Sequence, residues 1–213
     1  MLALHYAPNT ISLASLIALE EAGADYQVVR LDLSAAEQRS DGYRKVNPKA
    51  RVPALVTEQG VITETPAILL YIAQTHPEAN LAPLDNPFAM ARLNAFCAYL
   101  CSTAHPSHSM RMRGARWSGD PAVIEGLKVK VAANVAACCN LIETEMFKGP
   151  WLLGEAFTFG DAYLFTLNQW LEADGVDPAG FPRLADHRER TRARPAIRRA
   201  LEVEQTGRVI PRG

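Results

Sequence analysis

The sequence lacks several features that would set the chain apart from ordinary soluble globular proteins. It has no run of about 20 uninterrupted apolar residues, the length that a membrane span needs, so we expect no membrane partner. The 22 basic and 23 acidic residues nearly cancel to a net charge of -1, which argues against a nucleic acid partner. A secretion signal is not expected either, because His5, Asn9 and Glu20 interrupt the apolar start. We therefore expect a cytoplasmic protein.

Cysteine is scarce and shows no pattern of spaced pairs. The chain has four cysteines and no Cys-x-x-Cys, so we expect neither a disulfide framework nor a dithiol redox site. Cys97, Cys101, His105 and His108 follow one another at helical spacing, a pattern that would place them along one face and can hold a metal ion. The cysteines have apolar neighbours, however, so we expect reduced core thiols and no metal site.

Apolar periodicity divides the 213 residues into two parts. Residues 1–76 mix strand and helix patterns, whereas residues 88–213 carry helical patterns only. Residues 77–87 between them hold three prolines with Asn and Asp, a composition typical of a linker between domains. The sequence thus predicts two domains joined by a short linker.

The two parts predict different folds. In the first part the patterns indicate strand 2–6, helix 12–22, strand 26–33, a hairpin of strands 54–57 and 61–63, and helix 65–75. This order, βαβ followed by ββα, predicts an α/β domain of the thioredoxin-like type. The second part predicts an all-α helical bundle, with long helical patterns at 88–112, 121–147 and 158–173.

The most informative stretch surrounds Val52 and Pro53. Pro53 opens an apolar strand without an amide hydrogen, so it marks a turn, where a cis bond is plausible. Such a turn leaves the backbone groups of the preceding residue free to pair with an extended peptide. The helix that starts near Thr65 directs its free amides and positive end at a carboxylate. Together these features predict a socket for a small anionic peptide.

Four motifs in the same order and spacing resemble one family. Residues 47–55 (NPKARVPAL) resemble the glutathione-binding turn of the cytosolic glutathione transferases, and residues 64–68 (ETPAI) resemble their acidic residue and hydroxyl at the next helix start. Residues 4–8 (LHYAP) and 157–163 (FTFGDAY) are similar to two further motifs of that family. The resemblance covers nearly the whole chain. It implies glutathione as the co-substrate and a homodimer.

The resemblance also implies a role for each residue of the socket. Val52 would pair its backbone with the cysteinyl part of glutathione, and Pro53 would hold the turn. Glu64 would face the γ-glutamyl ammonium, and Thr65 would bind the neighbouring carboxylate through its hydroxyl and amide. Arg51, with Lys49, would reach the glycine carboxylate.

Several polar residues are candidates for the group that activates the thiol. Of the bacterial branches the beta class is most similar, but it keeps a cysteine where this chain has Ile11, so its thiol chemistry does not carry over. Short polar residues before a helix can lower a thiol pKa by hydrogen bonding, which leaves Thr10, Asn9 and Ser12 as catalytic candidates. Each is equally well explained as a helix cap.

The second domain would complete the site. By resemblance, His105 would face the thiol from the helical domain, and Ser102 would lie near another polar contact with glutathione. The segment from His105 to Trp117 mixes flexible apolar and basic residues, which suits a small apolar electrophile with a polar tail. Farther along, Thr158 and Asp161 have the spacing of a helix capping box, for which we expect a structural role.

Three functions fit these observations. The first is a transferase that joins glutathione to a small apolar electrophile, with the thiolate stabilised by Asn9 or Thr10 at a helix start. The second is a glutathione-dependent disulfide or peroxide reductase. The third is a non-catalytic glutathione-binding protein on the same scaffold, for which Ile11 is the main argument.

Overall fold

The computed structural model describes residues 1–210, which contain four strands and ten α-helices. The first part of the chain holds all four strands and three of the helices, in the order β1 (Leu2–Tyr6), α1 (Ser12–Glu21), β2 (Tyr26–Arg30), α2 (Asp41–Val46), β3 (Ala54–Thr57), β4 (Gly60–Thr63) and α3 (Thr65–Thr75). The strands form one sheet in the order β2-β1-β3-β4. This confirms the predicted thioredoxin-like arrangement.

The sheet combines one parallel pair with two antiparallel pairs. Strand β1 runs parallel to β2, with Leu4 opposite Val28, and antiparallel to β3, with Leu4 opposite Leu55. Strands β3 and β4 form the predicted hairpin. Leu4 of β1 and Leu55 of β3, the two central strands, are fully buried.

The short helix α2 was not predicted from the sequence. Its side chains are mostly polar and exposed, and Tyr43 is its one buried residue, so it has no apolar periodicity to reveal it. The Ser40 hydroxyl accepts a hydrogen bond of 3.2 Å from the Tyr43 amide and caps the helix. Helix α2 positions the turn at Pro53, as described below.

The second part of the described chain is helical, as predicted. It contains seven α-helices: α4 (Pro87–Tyr99), α5 (His105–Arg113), α6 (Pro121–Val129), α7 (Val131–Leu141), α8 (Phe159–Asn168), α9 (Pro182–Arg192) and α10 (Pro195–Thr206). Helix α4 begins at Pro87, the last residue of the proposed linker, where the Asn86 side chain accepts a bond from the Ala89 amide. The domain limits 1–76, 77–87 and 88–213 stay a prediction. No helix among residues 1–210 combines the length and the apolar character that crossing a bilayer requires.

A widened turn separates α4 from α5. Residues Leu100–Ala104 form a π-helical turn in which the His105 amide bonds to the carbonyl of Leu100, five residues back. Pro106 follows directly and has no amide hydrogen to continue the α-helical ladder, which favours such a widening. The predicted long helix over residues 88–112 is therefore two helices joined by this turn.

Helix α1 is buried on all sides between the sheet and the helical part. It packs against α3 on one side and against α8 and α10 on the other, and its residues from Ser12 to Glu20 are all buried. The buried carboxylate of Glu20 accepts hydrogen bonds from the Tyr26 hydroxyl (2.6 Å) and the Arg199 guanidinium (2.8 Å). These contacts fix the C-terminal end of α1, the end opposite the candidate catalytic residues.

The carboxylate of Asp161 organises the start of α8. It accepts hydrogen bonds from the Thr158 amide (2.8 Å), the Thr158 hydroxyl (2.9 Å) and the Leu152 amide (2.7 Å). The Nε2 atom of His187 lies 3.0 Å from the same fully buried carboxylate. The predicted cap is confirmed, and it also ties α8 to α9.

Candidate functional site

The three catalytic candidates lie in or next to the loop between β1 and α1, but their polar groups have different hydrogen-bond partners. The Thr10 hydroxyl donates a bond of 2.7 Å to the Ala7 carbonyl. Because that bond uses its single hydrogen, the 2.8 Å contact between the Thr10 and Ser12 hydroxyls has Ser12 as the donor. Ser12 is fully buried, so its hydroxyl stabilises the loop from within.

Asn9 has both a strained backbone and a free side chain. Its φ angle is +56°, in the left-handed region that asparagine tolerates better than most residues. The exposed side-chain amide has no hydrogen-bond partner within residues 1–210. Asn9 is therefore the candidate whose side-chain donor is available to a ligand.

The start of α1 offers further donors. Helix α1 has Ile11 at its N-cap position, and no side chain caps it there. The amides of Thr10 and Ile11 take part in no backbone hydrogen bond of the described chain, so they remain available beside the helix's positive end. Ile11 has no side-chain donor, but its backbone amide can stabilise a thiolate.

A carboxyl group from the C-terminal helix holds this loop. The Asn9 amide donates a bond of 3.0 Å to Oε1 of Glu204, a residue of α10 that is only 6% exposed. Burial raises the pKa of Glu204 to about 7, and the Asn9 bond partly opposes that shift. The Tyr6 hydroxyl donates to the carbonyls of Val203 (3.2 Å) and Glu204 (3.3 Å). Sequence analysis missed Glu204, since nothing in the local pattern connects positions 195 residues apart.

The turn at Pro53 has the predicted geometry. The Val52–Pro53 bond is cis, and Pro53 is buried. The turn is held by two donors to the Arg51 carbonyl, the Tyr43 hydroxyl and the Asn47 side-chain amide, each at 2.7 Å. No backbone hydrogen bond within residues 1–210 uses Val52, which leaves its amide and carbonyl free for an added peptide. Tyr43 and Asn47 are supporting residues that the sequence analysis did not identify.

Glu64 and Thr65 lie at the start of α3, next to this turn. Glu64 adopts φ +71° and ψ 123°, a conformation that is unfavourable for a side-chain-bearing residue. The hydroxyl of Thr65 makes no hydrogen bond with another described residue, and the Thr65 amide is one of the unpaired donors at the helix start. Lys49 pairs with Glu64 and donates to the Thr63 hydroxyl at 2.7 Å. Lys49 is thus directed at Glu64, whereas Arg51 is exposed.

The helical part contributes residues around the π-turn. The ring of His105 lies against Trp170, with 5.5 Å between ring centres. Burial, followed by electrostatic effects of neighbours that include Arg113, Arg116 and Arg51, lowers the pKa of His105 to about 4. The imidazole is therefore neutral near pH 7. Ser102 is exposed, and its hydroxyl lies 3.3 Å from that of the neighbouring Thr103. Its contact with glutathione stays a prediction.

The cysteines are poor nucleophiles. Cys97, Cys138 and Cys139 are buried, and burial raises the pKa of Cys139 to about 12. Cys101 is exposed, but partial burial and then the negative charge of Glu64 raise its pKa. No group of three or more His, Cys, Asp or Glu side chains in the described part is arranged to hold a metal ion.

A depression beside the loop between β1 and α1 does not coincide with these residues. It has a volume of about 550 Å³ and borders the loop at Ala7 and Pro8, but its remaining wall comes from residues 30–34 and Glu37. Val52, Glu64 and Thr65 do not line it. The free backbone donors, and not this depression, define the candidate site.

Two family models match the chain. The N-terminal domain of glutathione S-transferases matches residues 3–74, and the C-terminal domain of the same family matches residues 91–190. Glutathione S-transferase GstA of Escherichia coli O157:H7 is 31% identical over 203 residues, which cover 94% of this chain and 98% of that protein.

Solved structures that resemble this chain are also glutathione transferases. A glutathione transferase homolog from sulfitobacter, crystallised with bound glutathione, has a TM-score of 0.92 and 40% identity, with 97% of this chain and 98% of that chain covered. A bacterial beta class glutathione S-transferase from Sphingomonas chungbukensis has a TM-score of 0.83 and 32% identity, with 95% and 98% covered.

The chain combines a thioredoxin-like part with a helical bundle, and its cis-proline turn has unpaired backbone groups. This combination defines a class of two-part, glutathione-binding proteins. With both family models matched, the chain belongs to the glutathione S-transferase family. Its function is therefore that of a glutathione transferase, as the sequence predicted.

Proposed function

We propose that this transferase binds glutathione at the Pro53 turn and joins its thiolate to a small electrophile. The observation that carries the proposal is the set of unpaired groups on three neighbouring segments: the Val52 backbone, the amide and hydroxyl of Thr65, and the amides at the start of α1. These groups complement the cysteinyl backbone, the γ-glutamyl carboxylate and the thiolate of one extended tripeptide. Glu64 faces the ammonium group of glutathione once the Glu64 carboxylate has separated from Lys49.

The thiolate is stabilised by the loop before α1. The free Asn9 side chain and the backbone amides of Thr10 and Ile11 lower the thiol pKa by donating hydrogen bonds. The Thr10 hydroxyl contributes only when its bond to Ala7 opens. Ser12 supports the loop from below, which assigns it a structural role.

The remaining assignments follow the family. Arg51 binds the glycine carboxylate, and neutral His105 borders the thiol from the helical side. The electrophile occupies the space beside residues 105–117. The protein acts as a cytoplasmic homodimer in detoxification, and it uses glutathione as a co-substrate without a metal ion.

Two measurements test this proposal. Isothermal titration with glutathione should show binding that weakens in Glu64→Gln. Ultraviolet titration of the bound thiol should show a pKa below the free value of about 8.5 that rises in Asn9→Ala, whereas Ser12→Ala leaves it unchanged. An unaltered thiol pKa in both Asn9→Ala and Thr10→Ala would overturn the assignment of this loop.

The two alternative functions give different results. A glutathione-dependent reductase turns over a small disulfide and not an aryl halide, and a non-catalytic binder gives heat on titration without turnover of either. The raised pKa of exposed Cys101 supports a transferase over a reductase that uses a protein thiol.

A further inference from the structure

The Lys49 side chain reaches from the segment before the Pro53 turn to the acidic residue of the candidate site. Its ammonium group donates a hydrogen bond of 2.7 Å to the Thr63 hydroxyl and pairs with the Glu64 carboxylate. Thr63 is the last residue of β4, and in the hairpin register it lies opposite Ala54, the residue after the cis proline. The lysine therefore connects the Pro53 turn to the start of α3.

The backbone that carries this side chain is fixed. Buried Asn47 accepts a bond of 3.1 Å from the Lys49 amide through its side-chain oxygen, and its side-chain nitrogen donates one of 2.7 Å to the Arg51 carbonyl. The Asn47 carbonyl accepts a further bond of 2.9 Å from the Ala50 amide. The Lys49 ammonium can therefore leave its carboxylate partner by rotation of the side chain alone, while the cis-proline turn keeps its shape.

The ion pair between Lys49 and Glu64 is open to water. The two side chains are 44% and 60% exposed. Ion pairs exposed to this degree are weak, and they change an equilibrium by up to about fivefold. A ligand that brings its own cation to Glu64 can therefore displace Lys49, at a cost in affinity of this size.

The lysine ammonium and the α-ammonium group of glutathione are chemically alike. Each carries one positive charge and three N–H donors, and neither has an acceptor. In the proposed function, on which this inference rests, Glu64 faces the α-ammonium group of the γ-glutamyl residue. Lys49 contacts one oxygen of that carboxylate, and a second ammonium on the other oxygen would be disfavoured by repulsion between like charges. The carboxylate thus has two cations of the same kind as alternative partners.

We propose that Lys49 competes with the α-ammonium group of glutathione for the Glu64 carboxylate and thereby limits how much that group contributes to affinity. This role differs from the one that the family resemblance implies, in which Lys49 reaches the glycine carboxylate. The two roles predict opposite results when the lysine charge is removed. Competition predicts tighter binding of glutathione, whereas a contact with the glycine carboxylate predicts weaker binding.

Two ligands that differ only in the ammonium group test this inference. Glutathione and its deamino analogue, in which glutaryl replaces γ-glutamyl, share the thiol and both carboxylates. Isothermal titration should show that Lys49→Met binds glutathione about two- to fivefold more tightly than wild type does, the factor expected for an exposed ion pair. The affinity for the deamino analogue should not increase. Methionine suits this test because it keeps an unbranched side chain without the charge.

The chain offers a matched control at Lys128. This residue pairs with Glu125 at 3.0 Å on α6, and the two side chains are 44% and 68% exposed, close to the values for Lys49 and Glu64. Lys128→Met removes the same charge from a similar ion pair outside the candidate site, so it should bind both ligands as wild type does. An equal gain in glutathione affinity in Lys128→Met would be an effect of net charge and would overturn the inference.

A variant at Glu64 distinguishes competition from repulsion at a distance. Glutamine has no charge to attract either cation, so adding Lys49→Met to Glu64→Gln should not tighten glutathione binding. A gain that persists in this double variant would overturn competition for the carboxylate. Weaker binding of both ligands in Lys49→Met would also overturn it and would assign Lys49 to the glycine carboxylate.

The same titrations separate this inference from the proposed function. Glutathione affinity that falls in Glu64→Gln but does not rise in Lys49→Met would contradict the competition and support the proposed binding at Glu64. Absence of glutathione binding in every protein would overturn both. Tighter binding of glutathione in Lys49→Met without turnover of an aryl halide would support the competition and contradict the transferase mechanism alone.

Discussion

The Asn9 amide and the Glu204 carboxyl are joined by a partly buried hydrogen bond of 3.0 Å that connects the loop between β1 and α1 to α10. Asn9 has a positive φ angle, and this bond helps to hold it there. The Glu204 side chain can accept this bond in either protonation state, and the amide oxygen of a glutamine at this position can accept it too. The loop is therefore shaped by a residue near the other end of the chain.

Glu204 should make the protein less stable as the pH rises. Its pKa is near 4.5 in the unfolded chain and about 7 in the folded protein, so between these values the folded state binds more protons. The contribution of Glu204 to the free energy of unfolding is therefore greatest below pH 4.5. It decreases as the pH rises through 7, by on the order of 3 kcal/mol in total. Urea unfolding from pH 4.5 to 8 should show that Glu204→Gln removes this fall and is the more stable protein at pH 8.

The same helix offers a control for Glu204. Glu202 is exposed and its carboxylate has no partner among the described residues, so Glu202→Gln should follow the wild-type pH dependence. A Glu204→Gln protein that also follows it would show that position 204 does not titrate as inferred.

His105 should have the opposite dependence. Its pKa falls from 6.5 in the unfolded chain to about 4 in the folded protein, so the unfolded state binds more protons between these values. Stability is lost as the pH falls from 6.5 towards 4, by up to about 3 kcal/mol, and His105→Gln should reduce that loss. The check is the unfolding free energy of both proteins at pH 5 and pH 7.5. If wild type and His105→Gln differ in unfolding free energy by the same amount at both pH values, the inference of a neutral imidazole in the folded protein is contradicted.

Glu64 should show a conflict between stability and binding. Its φ of +71° suits glycine, so Glu64→Gly should melt at or above the wild-type temperature. It should also lose the carboxylate that we propose faces glutathione. We expect glutathione affinity to fall tenfold or more, as for a lost charge-assisted bond of about 2 kcal/mol. Calorimetry and thermal melting measure the two effects.

A second substitution at position 64 distinguishes charge from backbone strain. Glu64→Gln keeps the side chain and the strain, so it should lose affinity without the gain in melting temperature. Wild-type affinity in both variants would show that Glu64 does not contact the ligand.

Asp161 and Thr158 should differ in their contribution to folding. Asp161→Ala leaves the Leu152 amide and the His187 ring buried without their acceptor, which should cost about 3 kcal/mol or more. Thr158→Ala removes one hydroxyl and should cost about 1 kcal/mol. Unfolding in urea gives both values, and glutathione affinity per folded molecule should stay the same in both variants. An affinity loss without a loss of stability would assign Asp161 to the site.

Local chemistry in the sequence determined much of this protein. Pro53 cannot donate to a sheet, so the turn was predictable, and Thr65–Thr75 has the bounds that its pattern predicted. The cap at Thr158 followed from spacing alone, because its partner Asp161 is three residues away. Helix α2 was missed because a short polar helix with one buried residue has no apolar period.

Only the tertiary structure decided which polar groups are available. Asn9, Thr10 and Ser12 are equivalent in sequence terms, yet packing buries Ser12, occupies the Thr10 hydroxyl and leaves the Asn9 side chain free. Glu204 was beyond sequence reasoning for the same reason. A hydrogen bond or a charge interaction depends on distance in space, and neighbours brought together by folding leave no periodic trace along the chain.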